Sequence, residues 1–145
     1  MSRDNFESLM EITPGVAVGS LKFGIGPEQV ASSLGEPHTI ERTEDDEIEW
    51  QYPAAGLSLY FEGEVPQLSS VLVESPAVTL FGERVVGMSE GRFTVVARQH
   101  GGTVETSDWS GDDGIFLIVP ELGLFASVED GTVVSLVCES ASSAA

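Results

Sequence analysis

Tyr52-Pro53-Ala54-Ala55-Gly56-Leu57 and Val119-Pro120-Glu121-Leu122-Gly123-Leu124 are the stretches on which the reading of the fold turns. Each sets a proline and a glycine between apolar runs, and around each the chain follows one plan. Before it come a segment closing on glycine, a helical pattern and an acidic run. After it come apolar strands that close on Glu-Ser. Pro14-Gly15-Val16-Ala17-Val18-Gly19-Ser20-Leu21-Lys22-Phe23-Gly24 lines up with Ala77-Val78-Thr79-Leu80-Phe81-Gly82-Glu83-Arg84-Val85-Val86-Gly87. Ser70-Val71-Leu72-Val73-Glu74-Ser75 lines up with Ser135-Leu136-Val137-Cys138-Glu139-Ser140. A unit that cannot bury its apolar face alone buries it against its twin. The expected fold is therefore α+β, with two tandem pseudo-symmetric repeats, each one helix packed on an antiparallel β-meander. Residues 1–13 read as a lead-in, 14–75 as the first repeat, 76–140 as the second and 141–145 as a tail, in a single folded body.

Within the first repeat, Val16-Ala17-Val18 reads as a short strand. Pro27 suits a first helical position, where no amide donor is needed. Val30, Ala31 and Leu34 give that helix its apolar stripe, and Gly35 ends it. Residues 41–47 read as an acidic loop. Trp50 and Tyr52, then Leu57, Leu59 and Phe61, alternate with polar neighbours at the period of a strand. Gly63 to Gln67 reads as a turn and Leu68 to Glu74 as the last strand. In the second repeat Ser89 suits an N-cap, and Phe93, Val96 and Ala97 form the helix stripe. Asp108 to Gly114 reads as the acidic loop, with strands over 115–119, 122–128 and 133–138. Asp130-Gly131 is a strong hairpin signal. Phe6, Leu9 and Met10 have the spacing of a short helix in the lead-in.

The chain has 145 residues, enough for one domain with a real core, whereas either half, at about 60 residues, would be marginal alone. Six Lys and Arg face 24 Asp and Glu, a formal charge of −18. That sign repels nucleic acid and anionic membranes and attracts a basic protein partner. Cys138 is the sole cysteine, so no intrachain disulfide forms, and its strand pattern predicts a buried small hydrophobe. No apolar run reaches membrane-spanning length, and Met1 to Glu7 lacks the apolar run of a signal peptide. The expectation is a cytoplasmic protein with no membrane or nucleic-acid partner.

Gly24-Ile25-Gly26-Pro27-Glu28-Gln29-Val30 followed by Leu34-Gly35-Glu36-Pro37 resembles a known opening. It is similar to the glycine, turn, helix, Leu-Gly-x-Pro segment of the small outer-membrane lipoproteins of the barrel-assembly machinery. The duplicated plan resembles that of the β-lactamase inhibitor proteins. That resemblance implies tandem helix-and-sheet units and a sheet face that grips a protein. The second repeat departs from the motif, with Arg98-Gln99-His100-Gly101 in its place.

No catalytic constellation emerges. His38 and His100 each follow a helix end, where the helix dipole favours a cation. Asp108-Trp109-Ser110-Gly111-Asp112-Asp113-Gly114 starts like a calcium loop, but Asp113 and Val119 stand where glycine and a bidentate Glu are needed. No metal and no cofactor is expected. The suggestive feature is the sheet face away from the helices. If Leu57, Leu59, Phe61, Val71, Val73, Leu124, Ala126, Val128, Leu136 and Cys138 face the core, alternation puts Tyr60, Leu72, Phe116, Ile118, Phe125 and Val137 on the other side. Clustered apolar side chains there mark a covered or binding surface. The expected binding residues are Tyr60, Trp109, Phe116 and Phe125 as anchors, with Glu44, Asp45, Asp46, Asp112 and Asp113 as steering charges. The leading functional expectation is a non-catalytic acidic protein-binding module of inhibitor or immunity type. The alternatives are a small-ligand domain with a pocket between the repeats and, third, an enzyme.

Overall fold

The computed structural model describes residues 11–19, 21–44, 47–108 and 114–140. The helix expected near Phe6, the terminal tail 141–145 and most of the loop over 108–114 lie outside the described residues. Two sheets and two helices make a mixed α+β fold.

The large sheet has eight strands. They are β4 (Thr39–Arg42), β5 (Ile48–Tyr52), β6 (Leu57–Glu62), β7 (Gln67–Val73), β10 (Glu105–Asp108), β11 (Gly114–Val119), β12 (Leu124–Glu129) and β13 (Thr132–Glu139). Their order is β10-β11-β12-β13-β7-β6-β5-β4, and every neighbour is antiparallel. The two strand sets join edge to edge through β7 and β13, with Leu136 opposite Val73, Val137 opposite Leu72 and Cys138 opposite Val71. The small sheet holds β1 (Glu11–Thr13), β2 (Ala17–Val18), β3 (Leu21–Lys22), β8 (Thr79–Leu80) and β9 (Glu83–Arg84). Here β1 runs antiparallel to β2 and parallel to β8, so part of the expected lead-in bridges the two hairpins.

Two expectations need correction. Each meander has four strands, because residues 39–42 and 105–108 form edge strands where acidic loop or no element was expected. Charged and polar side chains hide such a strand from a hydrophobicity pattern, yet its backbone amides still pair with the neighbour. In addition, strand β12 starts at Leu124, because Pro120–Leu122 forms a 3-10 turn. Pro53–Ala55 does the same, and both turns end on a left-handed glycine, Gly56 at φ 67° and Gly123 at φ 65°.

Helix α1 spans Pro27–Leu34 and α2 spans Glu90–Gln99. Pro27 opens α1, and Gly35, at φ 83°, stops it. Ser89 Oγ accepts from the Arg92 amide at 3.0 Å and caps α2. One face of the large sheet, both helices and the small sheet close a single core. Leu59, Phe61, Val71, Leu124, Leu136 and Cys138 come from the sheet, Val30, Phe93 and Ala97 from the helices, and Val18, Leu21 and Leu80 from the small sheet. Trp50 meets Phe61 edge-on with ring centres 5.2 Å apart. Burial pushes the Cys138 thiol far above its ordinary pKa, so it stays a protonated hydrophobe.

Gly56 ties this layout together, since its carbonyl accepts from the Glu74 amide at 2.8 Å. A Cβ at this position would lie 2.7 Å from Ser75 Cβ on a left-handed backbone. Gly56→Ala is therefore expected to destabilise by more than the roughly 1–2 kcal/mol of the backbone term alone. A urea unfolding curve checks this, as a lower midpoint at unchanged slope.

Candidate binding face

The strands that bury one row of side chains must present the next row to the other side. Ile118, Phe125, Val137 and Leu72 stand directly opposite one another on β11, β12, β13 and β7. Neighbouring strands lie about 4.8 Å apart, so the four form a continuous apolar row about 14 Å long. All four are half-buried, in contrast to the fully enclosed side chains behind them. The row continues into polar residues, Ser58 on β6, Gln51 on β5 and Thr39 on β4, and it meets Glu105 on β10 at the other end. Phe116 lies two residues along β11 and is also half-buried.

Beside this row runs a second one, made of Glu139, Ser70, Tyr60, Glu49 and Glu41. Hydrogen bonds tie its polar groups to those that continue the first row. Thr39 Oγ1 donates to Gln51 Oε1 at 2.9 Å, and Gln51 Nε2 donates to Glu49 Oε2 at 2.9 Å. Tyr60 Oη donates to the same Glu49 oxygen at 3.3 Å. Burial pushes the Tyr60 phenol up to about 12, and the Glu49 carboxylate beside it acts in the same direction. Burial, and then the nearby Glu62, raise the Glu139 carboxyl above its ordinary value. Both shifts mark a partly desolvated, negative surface. Glu41, Glu49, Glu62, Glu105, Glu129 and Glu139 all take open-face positions in the strands, whereas Arg42, the one base in these eight strands, takes the opposite parity.

Of the expected site residues, Tyr60, Phe116 and Phe125 thus share the open face. Glu44 is exposed in the turn before β5. Trp109, Asp45, Asp46, Asp112 and Asp113 lie outside the described residues. Glu49, Glu139 and Gln51 were missed; the signal was present, since each alternates with a buried neighbour in its strand.

Grooves open among the described residues. One of about 640 Å³ is lined by Arg42, Glu47, Ile48, Phe61 and Glu62, with the Gly63–Pro66 turn. Another of about 520 Å³ is lined by Leu34, Glu36, His38 and Tyr52 with the 3-10 turn after it. Both lie within residues 14–75, and a third of about 410 Å³ adds only Ser140 from the other half. His38 shares its groove with a carboxylate, but the Tyr52 hydroxyl there is engaged, donating to Gly35 O at 2.8 Å. Burial, helped by Glu36, pushes that phenol up to about 12, far from the value of a base or nucleophile working at neutral pH. Among the described residues, no three His, Cys, Asp or Glu side chains could together hold a metal ion.

Tyr52 and Tyr60 are the only two tyrosines, so their ionisation can be followed directly. Both pKa values are raised from 10.0 to about 12 by folding. The neutral phenols are favoured in the fold. Their contribution to stability is complete below pH 10 and is lost as the pH climbs through about 12. Tyrosinate absorbance at 295 nm is expected to appear about two pH units later in the folded protein than in urea.

No protein-family model matches the chain, and no curated protein matches it. Two solved structures share its fold. A DUF4309 family protein (YjgB) from Bacillus subtilis superposes with a TM-score of 0.56 at 12% identity, over 96% of this chain and 92% of that one. An extracellular protein containing an SCP domain, from Bacillus anthracis, superposes with a TM-score of 0.52 at 11% identity, over 80% of this chain. The match spans 43% of that second protein's length. At these identities the likeness is one of fold alone.

Proposed function

We propose that this chain is a non-catalytic module that binds a basic protein partner on the open face of its eight-stranded sheet, in an inhibitor or immunity-type role. The observation that carries this reading is the half-buried apolar row Ile118-Phe125-Val137-Leu72, set among carboxylates with no base in an open-face strand position. An apolar centre with aromatic anchors supplies affinity, and surrounding charge of one sign speeds encounter with a partner of the other sign. The net charge of −18 acts in the same direction over the whole molecule. The three grooves described above border residues 14–75, with Ser140 beside one of them. The test is capture of a partner from the source cell, followed by binding kinetics on face variants.

The same reading includes a tandem duplication, which places the apolar row across the seam between two related units. Several matched details support it. Gly24 and Gly87 have φ of 100° and 105°, and their amides donate to Leu68 O and Val133 O, each at 2.8 Å. Leu57 and Leu124 both start a strand after a Pro-x-x-Gly turn, and Val73 and Cys138 sit in corresponding buried places. Register slips between Tyr60 and Phe61 and again between Ser127 and Val128. The leading hairpins depart by one residue: Ala17–Val18 corresponds to Thr79–Leu80, although the sequence alignment pairs Val16 with Thr79.

A further inference from the structure

We propose that the segment seated on the open face is a basic amphipathic α-helix of the partner, laid across the strands; this rests on the binding reading above. The apolar row carries one side chain per strand, so its period is about 4.8 Å. A helix repeats its apolar stripe every 5.4 Å, whereas an extended chain presents a side chain to one face only every ~6.6 Å. Over the four residues of the row the helical mismatch stays near 2 Å in total, and the extended one exceeds 5 Å. A stripe of about three turns therefore covers Ile118 to Leu72.

The flanks of the row differ, and this sets what the helix must carry. On one side Phe116, Ser127 and Ser135 are uncharged. On the other, Glu139 and Ser70 stand beside Val137 and Leu72, and their row runs on through Tyr60, Glu49 and Glu41 beside Ser58, Gln51 and Thr39, where a helix longer than the apolar row would reach. Glu41 and Glu49 face each other directly across β4 and β5, a like-charge pair that a cation would relieve. The helix thus carries Lys or Arg on one flank, toward that row, with small or polar residues on the other. A second copy of this chain is the wrong occupant on charge, since it would set −18 against −18 and the carboxylates of one face against those of the other.

The test uses the full chain and two synthetic peptides of about 18 residues with the same Leu and Arg content. One has Leu at helical spacing with Arg on one flank; the other alternates Leu and Arg at strand period. Fluorescence titration gives the Kd of each, and circular dichroism reads helix gained on binding. The helical peptide is expected to bind at least tenfold more tightly than the alternating one and to gain helix. Phe125→Ser should weaken it at least tenfold, and Glu49→Gln with Glu139→Gln should flatten its salt dependence. If the alternating peptide binds as tightly and depends equally on Phe125, the helix inference fails while the face remains an interface. If neither peptide responds to Phe125→Ser, both readings fail. A wild-type dimer in sedimentation that Phe125→Ser turns into monomer would put a second copy on the face and overturn the proposal.

Discussion

Phe61→Ala is expected to destabilise the protein by about 3–5 kcal/mol, the usual cost of emptying an aromatic-sized space in a packed core. Phe61 is 1% exposed and is among the largest fully enclosed side chains. It belongs to β6, opposite Ile48 on one side and Leu68 on the other, and its ring packs against the Trp50 edge. Truncation removes both the buried area and that ring contact. For a chain of this size the thermal midpoint should fall by about 10 °C, read by calorimetry. An unchanged midpoint would mean that the packing around β5 and β6 is wrong.

Replacing Tyr60, Phe116 and Phe125 together by Ala is expected to speed dissociation of a captured partner at least tenfold with little change in association. Neutralising Glu41, Glu49 and Glu139 is expected to do the reverse. Association should slow severalfold, and its dependence on salt should flatten, because steering acts at long range and is screened within about 10 Å at 0.1 M salt. The division follows from the geometry. Phe125 lies in the apolar row and Phe116 in the uncharged row beside it, where a partner would exclude water, whereas the carboxylates stand in the row on the other side, with Tyr60 between Ser70 and Glu49, and meet the partner's field first. Surface plasmon resonance separates the two rates. Since β6, β11 and β12 are held by their buried faces, the aromatic variants should keep the wild-type fold.

The strands were legible wherever one side of the strand is buried. Leu57 to Glu62 and Leu124 to Glu129 show the period of two because the core imposes it on every second residue. Helix ends were legible too, because Pro27, Gly35 and Ser89 each satisfy a local backbone requirement. Edge strands β4 and β10 were not. Ile40 is 58% exposed, so nothing selects an alternating pattern there, although backbone pairing holds the strand. The parallel pairing of β1 with β8 was hidden for another reason: it joins residues far apart in sequence, and no local signal marks such a contact. The aromatic part of the open face could be read from alternation. Its acidic flank could not be ranked above other carboxylates until the register placed Glu41, Glu49 and Glu139 in one row.

The most direct measurement of the central claim compares Phe125→Arg with Val65→Arg in partner capture from source-cell extract. Both variants add one positive charge and a long side chain. Phe125 lies in the middle of the apolar row, whereas Val65, 76% exposed, stands in the turn between β6 and β7. With both proteins shown to be folded by near-ultraviolet circular dichroism, Phe125→Arg is predicted to lose the partner that wild type retains, and Val65→Arg to keep it. Equal retention by the two variants, with dissociation rates matching wild type, would contradict the assignment of the open sheet face as the binding surface.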